Sequence, residues 1–337
     1  MANFEFTSVD ITKALRDGHT SVENFLKDLL KRVRDVNKKY KIYAQIQESF
    51  ILEQAKLLDG IKKDGCDIGQ LFGVPFSVSD NLDTCDFYTE LGSKIYRGRQ
   101  PLVDSTIVKR LKQANAIIIG KTQVSEFLEN LPTISLNPIN KNKNSGGSMS
   151  GTAISVATGT ASIGIGSQTG GSIISCASYY GIYGFKPSRS LVPCSGLKQI
   201  SFSLDSIGYF SRSISDLSIV LETISGDDNC DKRTESQSLK NFSHISSESP
   251  PFPPKFICFE DSKSQELEPV SKKAFNGFIK KIKKHLTKID LPGSFRESHE
   301  LFETIMDVEI TITLKKEFEE YKDLLNPLIT ERIVRGK

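Results

Sequence analysis

The chain lacks any apolar run long enough to cross a membrane. Its longest runs, such as Ala116–Ile119, fall far short of the roughly 20 residues that a spanning helix needs. It also lacks a charge excess: 44 basic against 41 acidic residues leave +3, too little to mark nucleic acid or an anionic membrane as partner. Six cysteines (Cys66, Cys85, Cys176, Cys194, Cys230, Cys258) stand scattered without CxxC spacing, so no zinc site or disulfide framework is expected, only free thiols. The four histidines (His19, His244, His285, His299) all lie outside the glycine-rich region and read as surface residues. No internal repeat is present. The polar opening MANFEFTSVDITKALRDG carries no secretory signal, and a soluble cytoplasmic protein is the expectation. What remains is an ordinary globular composition, 38% hydrophobic and 25% charged over 337 residues, enough for one large domain or two smaller ones.

Helical spacing dominates the first fifty residues. Thr20-Ser-Val-Glu23 fits a capping box, and Val22, Phe25, Leu26, Leu29, Leu30 and Val33 follow on one helical face. From about residue 72, short β-like runs (Val74–Val78, Ala116–Ile119, Ala161–Ile165, Ile182–Phe185) alternate with helical stretches and Gly/Ser turns, which predicts an α/β domain. Ser213–Ile224 reads as a capped amphipathic helix. Residues 226–254 are polar, end in a proline cluster and read as a surface excursion. Beyond them Phe275, Phe278, Ile279, Ile282, Leu286 and Ile289 form a helical stripe opposite a lysine-rich face. Such a helix can touch a membrane or a partner, but a solvated face on a packed helix is the expectation.

Two Gly–Gly–Ser elements stand out, SGGSMSG at 145–151 and TGGS at 169–172, with Ser148 and Ser172 as their serines. Paired glycines let the backbone turn sharply and approach a ligand, and successive free N–H groups at 169–172 can form an anion nest or oxyanion hole. From local chemistry alone, two turns whose serines merely cap helices explain the pattern at least as well. No ionisable side chain other than a thiol lies within GSQTGGSIISCA (166–177), so a nucleophile there has no neighbouring base.

The order of further motifs sharpens this. GVPFSVSDN (73–81), DSTIVKRLKQANAIIIGKTQVSEF (104–127), SGGSMSGTAISVATG (145–159), GSQTGGSIISCASYYGIYGFKPSRSLVPCSG (166–196) and SFSLDSIGYFSRSISDL (201–217) together resemble the amidase signature family. That family includes fatty-acid amide hydrolases, malonamidases, allophanate hydrolases and the A subunit of glutamyl-tRNA(Gln) amidotransferase. The resemblance covers roughly residues 8–230. It implies an α/β fold with a mixed twisted central sheet between helices, and a Ser–cis-Ser–Lys triad that hydrolyses amides. Ser172 then holds the nucleophile position and Ser148 the cis-serine position. The N–H groups of Thr169, Gly170, Gly171 and Ser172 match the oxyanion hole.

The resemblance also exposes departures. The family's lysine sits in a motif like G-[IV]-P-x-x-[IV]-K-D-N, where this chain has Ser79. A hydroxyl cannot replace an amine as general base near neutral pH, and loss of a positioned base costs roughly 10²–10⁴ in rate, about 3–5 kcal/mol. Lys121, in GKTQVSEF, matches a different family position and is expected to be structural. Gln168 and Ile174 stand where the family has aspartate and arginine; a paired loss of charge is compatible with the fold. Met149 and Ser150 replace smaller residues and are expected to crowd the loop holding Ser148.

The expected organisation is an N-terminal helical part (1–70), an amidase-signature core (71–230), a polar loop (231–256) and a C-terminal helical part (257–337) shortened relative to the family. Function divides three ways: a catalytically impaired pseudo-amidase, an active amide hydrolase using Ser172 with a modified relay, or an amidotransferase A-like member of a complex. No metal or cofactor is expected. The partners in view are a small-molecule amide and a second copy or partner subunit, without nucleic acid or membrane.

Overall fold

The computed structural model describes residues 6–66, 68–129, 131–234, 241–249, 254–259 and 267–337. The chain opens with α1 (Ser8–Arg16), α2 (Val22–Tyr40), strand β1 (Tyr43–Gln45) and α3 (Glu48–Lys63). On α2 the expected face is buried through Val22, Leu26, Leu29, Leu30 and Val33, each of which stabilises the fold by roughly 1.5–3 kcal/mol. The cap differs from the expected one. Ser21, not Thr20, starts the helix, its hydroxyl accepting from the Asn24 N–H, while Asp59 takes the N–H groups of Val22 and Glu23. Glu23 instead pairs with Lys27. The capping box lies one helix earlier, between Thr7 and Asp10.

The sheet is built next, from β2 (Pro75–Ser79), α4 (Thr106–Gln113), β3 (Ile117–Thr122), α5 (Ser150–Ala157), β4 (Ile163–Gln168), α6 (Ser172–Tyr180), β5 (Tyr183–Phe185) and β6 (Ser206–Ser211). Strand order is β1-β3-β2-β4-β6-β5. The three central strands β3, β2 and β4 run parallel, while β1 and β6 join them antiparallel and β5 pairs antiparallel with β6. Every residue of β2 and β3 is buried, as expected for parallel strands covered on both faces. This is the mixed, helix-covered α/β sheet anticipated. Ser213 caps α7 (Ile214–Ile224), whose Asp216 carboxylate reaches back to accept from the Ser8 N–H that opens α1.

Of the polar excursion, residues 235–240 and 250–253 lie outside the described residues; α8 (Phe242–Ser247) falls between them. The apolar stripe beyond 269 does not form one helix. α9 (Pro269–Ile282) ends before Leu286, which belongs to β8 (Leu286–Lys288), parallel to β7 (Phe256–Cys258) in a separate two-stranded sheet. Nor is that helix packed: α9 has no buried residue, and Phe278 is 52% exposed. The apolar spacing is real, but among the described residues nothing buries it.

Three further helices, α10 (Ser298–Thr313), α11 (Lys315–Tyr321) and α12 (Pro327–Arg335), pack back on the main body. They form a second core of Met306, Ile310, Leu314, Ile329 and Ile333 against Phe127 and Ile200. Glu317 fixes their position by accepting from Tyr96 and pairing with Lys198 at 2.9 Å.

Candidate active site

Side chains alternate across a strand, and that alternation decides which groups can meet. Ser77 hydrogen-bonds Ser155 of α5 at 2.7 Å, and Thr122 bonds Thr152 of α5 at the same distance. Ser79, two residues beyond Ser77, therefore shares the α5 face of the sheet, where Ser148 lies just ahead of that helix. Lys121, one residue before Thr122, points to the opposite face. Its Nζ donates to the Leu82 carbonyl and the Thr89 hydroxyl and lies 3.5 Å from Asp80 Oδ1. Burial pulls the Lys121 ammonium down to about 8 and pushes the Asp80 carboxyl up to about 6. Asp80 Oδ1 accepts no hydrogen bond among the described residues, consistent with that upward shift. The sheet itself thus separates Lys121 from the serines, and the pair reads as structural.

Ser172 is the first residue of α6. Gly171 before it takes φ +112°, which only glycine adopts without strain. The hydroxyls of Ser148 and Ser172 lie 3.2 Å apart, with Ser148 buried and Ser172 half-buried. Among the described residues no N–H of Thr169, Gly170, Gly171 or Ser172 donates to the protein, leaving four donors at one turn. Asp205 braces that turn, accepting from Thr169 Oγ1 at 2.5 Å and from the N–H groups of Ile200 and Ser201. Burial pushes its carboxyl upward.

Ser79 is fully buried. Its hydroxyl donates to Asn81 Oδ1 at 2.5 Å, and Asn81 Nδ2 donates to Ser167 Oγ at 2.8 Å. A neutral chain of amide and hydroxyls thus occupies this position, and no basic side chain hydrogen-bonds Ser79, Ser148 or Ser172 among the described residues. Gln168 has taken on a cap's work, its Oε1 accepting from the N–H groups of Ile173 and Ile174. A neutral carbonyl there satisfies two orphan donors at the helix start. Ile174 is 50% exposed and needs no charged partner. The expected crowding by Met149 does not arise, since its side chain is directed inward. A Cβ on Gly166 would come within 2.7 Å of Met149 Sδ, so the missing side chain on β4 makes room.

Ser172 opens onto a cavity of about 470 Å³. The signature turn forms one wall; Phe302, Glu303 and Met306 of α10 and Arg332 of α12 form another. Phe302 lies directly over Gly170, where a Cβ would come within 2.6 Å of its ring. Arg332 is held by Glu129 at 2.9 Å and by Glu303 and Asp307 at 2.8 Å. None of these wall residues is marked in the sequence, because their stretch shows only amphipathic spacing. Asp205 does have a signal, since it falls within SFSLDSIGYF, one of the motifs that carry the resemblance. Ligand atoms of Cys85, Asp86 and Asp104 lie within 4.8 Å of one another, but Lys112 already pairs with both carboxylates. Among the described residues no helix is long and apolar enough to cross a membrane.

Comparison with known proteins bears on family and fold. The amidase family model matches residues 24–332. The A subunit of glutamyl-tRNA(Gln) amidotransferase from Bacillus pumilus is 34% identical over 248 residues, covering 72% of this chain and 51% of that protein. Its counterpart from Natranaerobius thermophilus is 32% identical over 243 residues, covering 70% and 50%. This chain thus spans about half the length of the curated relatives it matches. Among solved structures, a chain from a vestigial protein complex bearing on the origins of an s-triazine catabolic enzyme superposes with TM-score 0.90 at 20% identity, covering 98% of this chain and 73% of that one. Native peptide amidase from Stenotrophomonas maltophilia gives TM-score 0.81 at 23% identity, covering 94% and 68%. With the family model spanning nearly the whole chain, and with the fold shared at that level, the chain belongs to the amidase family.

Proposed function

We propose that this chain is an amide-binding member of its family whose hydrolytic chemistry is impaired, with Ser172 in the nucleophile position, Ser148 as its hydroxyl partner and Ser79 in place of the base. One observation carries the reading: two hydroxyls 3.2 Å apart beside four undirected N–H groups, with a neutral serine–asparagine–serine chain where an amine belongs. The cradle can accept an amide carbonyl oxygen. Ser172 keeps its proton, however, because among the described residues neither hydroxyl is hydrogen-bonded to a group that ionises to receive it near pH 7. Preorganised donors still stabilise a developing oxyanion, so slow turnover is compatible with the site.

The test is amide hydrolysis by the wild type, Ser79→Lys and Ser172→Ala. The proposal expects wild-type rates within about tenfold of Ser172→Ala, and a gain of roughly 10²–10⁴ in Ser79→Lys. A wild type already that far above Ser172→Ala would overturn it and favour an active hydrolase with a modified relay.

The relatives support a second reading, an A-like member of an amidotransferase complex, because those aligned at 32–34% identity are amidotransferase A subunits. Affinity purification from the native host tests it. Stoichiometric recovery of other amidotransferase subunits supports that reading, and a lone chain contradicts it.

A further inference from the structure

Two neighbouring residues on the cavity wall hold a backbone conformation that their own side chains disfavour. Phe127 takes φ +45° and Leu128 φ +62°, both in the left-handed region, and neither is a glycine. Among the described residues no other adjacent pair of non-glycine residues does so. The turn is held at both ends and in its middle. The Glu126 carboxylate accepts from Ser93 Oγ at 2.7 Å and from the Asn326 N–H ahead of α12 at 2.9 Å. Glu129 pairs with Arg332 of α12 at 2.9 Å. Between them the Phe127 N–H donates to the Leu91 carbonyl and the Leu128 N–H to the Ser125 carbonyl.

Strain of this kind persists only where the surroundings over-determine it, and it gathers where a side chain must be aimed. Phe127 serves packing, since it is 1% exposed and belongs to the core formed with α10 and α12. Leu128 is different. It is half-buried, touches both hydrophobic cores, and lines the cavity onto which Ser172 opens. An ordinary right-handed turn would aim it elsewhere.

We infer that Leu128 is the specificity-determining residue of this cavity, the stop at which an alkyl substituent of the bound amide ends. The inference rests on the reading of the 169–172 turn as the amide cradle. Phe302 lies over Gly170 of that turn, and Met306 lines the cavity one helical turn further along α10. With the carboxamide in the cradle, a straight alkyl chain runs along these two side chains and meets Leu128. The ligand class is a neutral aliphatic amide of limited chain length.

Straight-chain primary amides from acetamide to octanamide test this, titrated against the full chain by ligand-observed NMR. In the wild type, affinity is expected to rise about fourfold with each methylene until the chain reaches Leu128, and then to stop rising. In Leu128→Ala the rise should continue for about two further carbons, into the space of the deleted side chain, with acetamide bound as before. Leu128→Gly removes the strain as well as the bulk. It should unfold at a higher temperature than Leu128→Ala, the reverse of the order at ordinary backbone positions. The wild-type series stands on its own if a variant fails to fold. An unbroken rise in the wild type, or a break at the same length in Leu128→Ala, overturns the inference and leaves the amide cradle intact. A Leu128→Gly less stable than Leu128→Ala also overturns it, because no strain would then aim the side chain. Failure of every amide to bind, acetamide included, overturns the cradle and the inference together.

Discussion

Ser79 and Gln168 are both polar and uncharged, yet they do different things. Gln168 keeps a structural task, because an amide oxygen accepts from two helix N–H groups as a carboxylate would. Ser79 keeps only a place in a neutral chain, because no hydroxyl supplies the basicity of an amine. Gly170 offers a clear prediction of the same kind. Phe302 sits where a methyl group would go, so Gly170→Ala should lower stability by about 1–3 kcal/mol, read in denaturant titrations. Trimming the ring in the double variant with Phe302→Ala should leave the added methyl without further cost. An additive loss in that double variant would show that Phe302 does not lie over the turn. The positions of Ser79, Ser148 and Ser172 are legible in the sequence, since motif order marks them. Phe302, Glu303 and Arg332 are not, because they reach the site only through the packing of α10 and α12, and no local pattern announces that contact.

Among the elements, strand alternation excludes Lys121 from the site. Thr122 meets α5, so its neighbour Lys121 must face away, into a fully buried pair with Asp80. Breaking such a pair strands one charge. Lys121→Met should therefore destabilise by about 3–5 kcal/mol, and adding Asp80→Asn should recover much of it. Equal losses in the single and double variants would contradict the pairing. The pair also sets a pH dependence. Asp80 in the fold titrates near 6, above its unfolded value, so its contribution is fully present below about pH 4 and is lost as pH rises through 6. In Asp80→Asn the stability-against-pH curve should lose its downward component between those values. Sequence periodicity identifies elements well where burial enforces a strict period, as on α2 and β2. It fails at 275–289, where one apolar spacing serves a helix and then a strand. A β-strand and a buried helix turn cannot be separated by hydrophobicity alone over so few residues.

Across the whole molecule, packing is uneven. The six-stranded sheet and its helices share one continuous core, whereas among the described residues β7, α9 and β8, a two-stranded parallel pair and an exposed helix, contribute nothing to it. Two strands and one unburied helix are marginal by themselves. Hydrogen exchange should therefore open Phe256–Cys258 and Leu286–Lys288 several kcal/mol below the central strands Pro75–Ser79 and Ile163–Gln168. Equal protection in the two regions would show that the small unit is covered by more than the described contacts. The fold class is legible in the sequence because alternating β-like and helical runs leave few architectures. The separation of the small sheet is not, since strand pairing depends on distant contacts.

If the cradle remains while the base is gone, Ser172 should be unreactive in the wild type and become reactive when an amine is restored at position 79. Covalent labelling of the serine reads this out. Wild type, Ser79→Lys and Ser172→Ala would be treated with a fluorophosphonate and followed by intact mass, with unfolding curves to establish that each variant is folded. Negligible adduct is expected on wild type and Ser172→Ala, with a single adduct on Ser79→Lys that maps to Ser172. Rapid stoichiometric labelling of the wild type at Ser172 would contradict the loss of the base.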